Sequence, residues 1–209
     1  MLENKTAAVR EYVDAADVNT PIFIEDIKNL VGDNAKLILS RLERYGLIAR
    51  YDKGVYYKPK QTAWGATTIG RDAVVRYKYI QDKHGNIKGY VTGARLFNRM
   101  GLTTQVPRMT EIVTNEHTGK NKVVRYGTLV QRAKIPVTNE NYLYQQIIDI
   151  IENRDDVQIE TDAPDVIIRN FYNENHLDFA TLYKTGLERK MARRGLETMG
   201  RWILVESGA

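Results

Sequence analysis

The chain has 209 residues, 43% of them hydrophobic, and no cysteine, which is enough apolar content for one large domain or two smaller ones and excludes disulfides and thiolate metal sites. No run approaches the roughly 20 apolar residues that span a bilayer, and the polar start MLENKTAAVREYVDAA lacks the apolar stretch of a signal peptide, so a soluble, cytoplasmic protein without membrane contact is expected. The net charge of +5 favours an anionic partner but does not by itself decide for one.

In chain order, residues 2–16 suit a helix with Ala8, Val9, Tyr12, Val13 and Ala16 on one face. Residues 20–24 suit a short extended segment, and residues 25–31 a brief helix closed by Gly32. A third helix follows, because Ala35, Ile38, Leu39 and Leu42 recur at i, i+3, i+4 and i+7, the spacing of one buried stripe. Asp33 or Asn34 is placed to cap its start and Gly46 to stop it. Strands at 47–51 and 55–58 come next, joined by Asp52-Lys53-Gly54, with glycine where a positive φ is needed. Helix, short strand, helix, helix and hairpin is the order of a winged helix-turn-helix, whose third helix enters the major groove beside the wing.

Charge follows the same division. Residues 34–60 carry seven basic and two acidic side chains, whereas residues 1–33 carry three and seven, so the positive charge is confined to the helix and hairpin a winged helix presents to phosphate. The candidate DNA contacts are Lys36, Leu37, Ser40, Arg41 and Arg44 on the helix and Arg50, Lys53, Lys58 and Lys60 on the wing. Tyr51, Tyr56 and Tyr57 have two readings, base stacking or packing across the hairpin, and packing is favoured.

The segment around Pro59 marks a boundary, and a different charge regime starts there: thirteen basic against four acidic residues over 61–135, then two against ten over 136–183, then six against three to the end. Residues 71–81 fit either a helix or a strand, with helix favoured. A strand at 87–91 leads to Thr92, which can cap a helix running to about Met100 before Gly101. Residues 109–115 and 122–126 read as a hairpin whose turn contains His117-Thr118-Gly119-Lys120, and 129–137 as a further strand. Helices are expected over 141–151, 164–172 and 178–203, the last broken near Gly186 or Gly195.

The stretch GYVTGARLFNRMGLTTQVPRMTEIVTN, residues 89–115, together with the GVYYKP strand before it, resembles the antitoxins of AbiE-type (type IV) toxin–antitoxin systems. GLTTQVP at 101–107 is the most specific piece, and the likeness covers most of residues 20–135. The resemblance implies an N-terminal domain that binds the operon's own promoter and a C-terminal domain that counteracts a nucleotidyltransferase-like toxin, with or without a stable complex. The turn at 101–107 also has a plain structural reading, in which Thr103 and Thr104 bond local backbone and Pro107 sets the chain's exit. Arg95, Arg99 and Arg108 around it are candidates for partner contact and equally for pairing with the chain's own acidic segment.

Catalysis has little support. His84, His117 and His176 are scattered, no nucleophile or phosphate-loop motif is complete, and no metal or cofactor is expected. The expectation is therefore an α+β protein with a winged helix-turn-helix domain at 1–62 and an α+β antitoxin-like domain at 63–209. It would bind promoter DNA, with two copies at repeated or inverted sites, and oppose a toxin in which the enzymatic role resides. The runner-up is a stand-alone regulator whose second domain senses a ligand or dimerises, and a nucleic-acid enzyme is a third possibility.

Overall fold

The computed structural model describes residues 2–204 and has an α+β architecture. The chain divides into two compact units, Met1–Tyr77 and Lys78–Ala209. The sequence placed its boundary near 62, but the border falls within a π turn, Arg76–Ile80, that continues the helix α4, Arg71–Val75. No helix among the described residues is long and apolar enough to cross a membrane.

In the first unit, α1 (Leu2–Ala15), β1 (Pro21–Phe23), α2 (Ile24–Val31), α3 (Ala35–Arg44), β2 (Ala49–Asp52) and β3 (Val55–Tyr57) enclose one core. Val9 and Val13 of α1, Ile27 and Val31 of α2 and the α3 stripe Ala35, Ile38, Leu39 and Leu42 meet in it, with Ile22, Ile48 and Tyr56 from the sheet side. The three strands form an antiparallel sheet in the order β1-β3-β2, with Tyr57 opposite both Pro21 and Ala49. Tyr12 ties α1 to α2: burial, then the Asp26 carboxylate that accepts its hydroxyl proton, pushes its phenol above the ordinary range.

Two local expectations change. Neither Asp33 nor Asn34 caps α3 through its side chain, because a 3-10 turn, Gly32–Asn34, feeds straight into it and the Asn34 amide donates back to the Val31 carbonyl at 3.4 Å. Beyond β3 the chain does not run on as a linker. It forms a second small antiparallel hairpin, β4 (Gln61–Thr62) and β5 (Gly65–Ala66), that the sequence reading missed.

The second unit is built on a four-stranded sheet in the order β6-β7-β9-β8, from β6 (Gly89–Thr92), β7 (Thr110–Thr114), β8 (Val123–Arg125) and β9 (Thr128–Arg132). The expected hairpin between the second and third of these does not form. β7 pairs with β9 in parallel, and β8 pairs with the outer edge of β9. The reason lies at Tyr126-Gly127, both at positive φ (49° and 64°), the geometry of a two-residue turn that commits β8 to β9. Residues 115–122, His117 among them, are thus a crossover loop rather than a hairpin turn; His117 is anchored there by a 2.8 Å bond between its Nε2 and the Asn121 carbonyl.

Helices α5 (Gly93–Arg99), α6 (Tyr142–Glu152), α7 (Pro164–Glu174), α8 (Phe179–Glu188) and α9 (Arg193–Leu204) supply the larger core, with Phe97, Leu102, Ile147, Ile148, Ile151, Ile168, Leu182 and Met199 buried together. The expected long last helix is two, but neither glycine is the break. Gly186 and Gly195 lie buried inside α8 and α9, where an added Cβ would meet Met199 and Met191, and the chain turns instead at Lys190, φ 56°. Two small residues serve close helix packing there.

Candidate nucleic-acid interface

Helix α3 is two-faced. Ala35, Ile38, Leu39 and Leu42 are at most 4% exposed, which fixes the helix's rotation and leaves Lys36, Leu37, Ser40, Arg41 and Arg44 outward. Leu37 is 46% exposed despite being apolar. None of the Lys36, Arg41 or Arg44 side chains forms an ion pair or hydrogen bond with another described residue, so their charge is not spent internally. Glycine 46 at φ 71° ends the helix, its N–H donating to Glu43 O at 2.9 Å, and the chain enters β2 within a few residues.

Three hydrogen bonds hold the β2–β3 turn. Asp52 accepts from the Lys53 N–H at 2.6 Å, Arg50 Nε donates to the Asp52 carbonyl at 3.2 Å, and the Gly54 carbonyl accepts from Ile24 N at 2.9 Å. Gly54 needs φ 78°, and a Cβ there would stand 2.9 Å from Ile24 Cγ2, so glycine both makes the turn and lets it rest on α2. Lys53 and Arg50 are exposed at this end, while Lys60 is exposed at the other. Tyr56 and Tyr57 are each 5% exposed and therefore pack inward.

Lys58 stands apart from its expected role. Its ammonium donates to the carbonyls of Asp14 at 3.0 Å and Ala16 at 3.4 Å, the unsatisfied end of α1, where a cation complements the helix dipole. The first unit thus offers Lys36, Arg41, Arg44, Arg50, Lys53 and Lys60 as outward cations, with Leu37 and Ser40 between them on α3.

In the second unit, Arg95 and Arg99 lie at i and i+4 on α5, half-buried and exposed respectively, and Arg108 is exposed on the loop before β7. None makes an ion pair with a described residue, so the acidic segment is met by other means. Thr104 does this: its N–H (2.7 Å) and hydroxyl (2.6 Å) both donate to Glu160 Oε2, and Glu160 N returns a 2.9 Å bond to Leu102 O. The Thr104 hydroxyl, then its N–H, hold the Glu160 carboxyl below the usual range. Thr103 behaves as read, accepting from Gln105 N at 3.2 Å, whereas Thr104 reaches across the fold rather than to local backbone.

Residues 9–150 match the family described as "Family of unknown function (DUF6088)". The chain belongs to that family. No curated protein matches the chain. The DUF6088 match takes in α3, both hairpins of the first unit and the whole sheet of the second, and it ends inside α6, so α7 to α9 lie beyond it.

One buried cluster escaped the sequence reading. Arg189, just past α8, has a 3% exposed side chain and donates through Nη2 to Asp149 Oδ1 and to Glu152 Oε2 (2.9 Å) on α6, and through Nη1 to the Tyr90 hydroxyl (3.2 Å) and the Gln145 carbonyl (3.0 Å). Thr92, expected as a helix cap, instead donates its hydroxyl to Asp149 Oδ2 at 2.6 Å. Burial opposes the charge on Arg189, but Asp149, then Tyr90 and Glu152, raise it above its ordinary pKa. Burial, followed by the Asp149 charge, drives the Tyr90 phenol well above 10.0. The cluster links the sheet to α6 and to the α8–α9 corner through one guanidinium, with Arg189 Nε and Gln145 Oε1 left without a partner among the described residues. Its members lie up to 99 residues apart, so no local motif marks it.

Proposed function

We propose that the first unit is a winged helix-turn-helix that binds double-stranded promoter DNA, with α3 in the major groove and the β2–β3 turn on the adjoining backbone. The observation that carries this reading is the outward face of α3, where Lys36, Arg41 and Arg44 stand unpaired among the described residues around Leu37 and Ser40. Arginine suits paired acceptors on guanine or a phosphate, Ser40 bonds either a base or the backbone, and Leu37 fits a thymine methyl. Arg50, Lys53 and Lys60 add sequence-independent, salt-sensitive affinity.

On the resemblance of residues 89–115 to AbiE-type antitoxins, the chain is further proposed to be the antitoxin and autoregulator of a type IV toxin–antitoxin operon in the cytoplasm, its second unit opposing a nucleotidyltransferase-like toxin. The protein itself needs no catalytic centre for this. Arg95, Arg99 and Arg108 are the proposed contacts on that unit, in keeping with side chains that form no internal ion pair among the described residues.

Two assays test the two halves. A reporter driven by the sequence upstream of the coding region should be repressed by the full chain and released by Arg41→Ala with Arg44→Ala; equal repression by the variant would remove α3 from the interface. Expression of the neighbouring gene should arrest growth, and co-expression of the chain should relieve it. A harmless neighbour, or toxicity the chain does not relieve, would reject the antitoxin half and leave a stand-alone regulator.

A further inference from the structure

The small hairpin β4–β5 carries Trp64 at its tip, 98% exposed, the most exposed large hydrophobic side chain among the described residues. The tip is held by several bonds. Thr62 Oγ1 donates to the Gly65 carbonyl at 2.7 Å and accepts from Trp64 N at 3.2 Å, which closes it. At its base Thr67 N donates to Lys60 O (2.9 Å), Lys60 N donates to Thr67 Oγ1 (3.0 Å), and that hydroxyl donates to Asn19 Oδ1 (2.6 Å), tying the hairpin to the loop before β1. An indole is thus held out in water on a braced support.

Topology and charge indicate what it meets. Tyr57, the last residue of β3, is paired with Ala49, where the chain arrives from α3, so the Trp64 hairpin leaves the sheet at the end fed by α3 and opposite the Lys53 turn. Between Asp52 and Asp72 the sequence contains no carboxylate, and Lys60 at the hairpin's base is exposed, whereas Lys53 lies at the opposite end of the sheet, Lys58 is bonded to the end of α1 and Arg71 pairs with Asp72 at 3.9 Å. A flat apolar side chain on a hydrogen-bonded tip, beside the exposed Lys60 and in a stretch with no carboxylate, fits a polyanion that also presents apolar faces, which is nucleic acid.

We propose that the β4–β5 hairpin is a second wing and that the Trp64 indole packs against a deoxyribose or a base step of the duplex that α3 reads. This rests on the DNA-binding reading of the first unit. Trp64 makes no internal packing contact that its loss would remove, so substitution there leaves the fold intact.

The test uses the full chain labelled with 5-fluorotryptophan, which gives two fluorine resonances, Trp64 and Trp202, assigned with Trp64→Phe. The probes are a duplex from upstream of the coding region and a random duplex of equal length, both at low salt. On addition of duplex the Trp64 resonance should shift and broaden, and Trp64→Ala should weaken binding about 5-fold or more, the range of one aromatic contact to a nucleotide. If the wild type binds duplex while the Trp64 resonance stays put and Trp64→Ala binds equally well, the second wing is wrong and the α3 interface stands. If the wild type binds neither duplex, both fall. If the Trp64 resonance moves with protein concentration alone, the indole packs on a second copy of the chain and the proposal is overturned in favour of self-association.

Discussion

Replacing Arg189 by methionine isolates the buried cluster of the second unit. The change keeps most of the apolar stem and removes the guanidinium that links Asp149, Glu152, Tyr90 and the Gln145 carbonyl. Glu152 is not stranded, because its side chain is 21% exposed and Lys134 Nζ remains 2.8 Å away. Asp149 is stranded: its side chain is 6% exposed, and only neutral donors remain beside it, the Thr92 hydroxyl at 2.6 Å and the Tyr90 phenol. Removing one partner of such a pair costs about 3–5 kcal/mol. Part is returned, since Arg189 Nε has no acceptor and the penalty of burying it disappears with it. The net loss expected is therefore near the lower end, about 3 kcal/mol, or roughly 6–12 °C in Tm. Urea unfolding followed by Trp202 emission in a Trp64→Phe background reads this unit, because Trp202 packs on its core. Adding Asp149→Asn removes the stranded charge while keeping an acceptor for Thr92, so the double variant should be more stable than Arg189→Met alone. A single-variant loss below about 1 kcal/mol, or a double variant no better than the single, would refute the view that the pair is a coupled buried unit.

Lys58→Ala should lower the stability of the first unit by roughly 1 kcal/mol, through the lost bonds to Asp14 and Ala16, and leave the salt dependence of duplex binding unchanged; a shallower salt slope would return Lys58 to the interface. Gly89→Ala should be poorly tolerated, at about 3 kcal/mol or more in a chemical melt, because its Cβ would stand 2.1 Å from the Tyr79 carbonyl and 2.5 Å from that of Val113, both backbone; near-native stability would contradict the close approach. Glu160 has a folded pKa below its ordinary 4.5, so its tether to Thr104 is fully present above that value and is lost as pH falls through the lower, folded one. The Thr104 amide shift should accordingly titrate with a midpoint below 4.5, and a midpoint at or above it would refute the bond.

Local periodicity carried the first unit well. The α3 stripe and the short β2–β3 turn are consequences of neighbouring residues, and the side chains expected to face outward from α3 do so. What escaped depended on contacts distant in sequence. The parallel β7–β9 pairing hinges on a two-residue turn with positive φ at Tyr126, a residue type that does not announce it. Gly186 and Gly195 read as helix breakers because propensity ignores packing, whereas close helix contact is what they serve. Thr92 illustrates the same competition: a residue suited to capping was drawn to a buried carboxylate on α6. Lys58 is one more cation in a basic stretch by sequence, but its ammonium meets the end of α1, 44 residues away. In the β4–β5 hairpin, two-residue strands are too short for any alternation to register.

Whether α3 and the β2–β3 hairpin hold duplex DNA is decided by the affinity for the upstream duplex as a function of salt. With Lys36, Arg41, Arg44, Arg50, Lys53 and Lys60 each meeting a phosphate, the logarithm of the association constant should fall against the logarithm of salt with a slope of about −5. Arg41→Ala should weaken binding by roughly 1–3 kcal/mol at fixed salt, more on the upstream duplex than on a random one if it reads a base. Absence of measurable binding at low salt, or an affinity that neither salt nor Arg41→Ala alters, would mean that α3 and the β2–β3 hairpin do not hold duplex DNA.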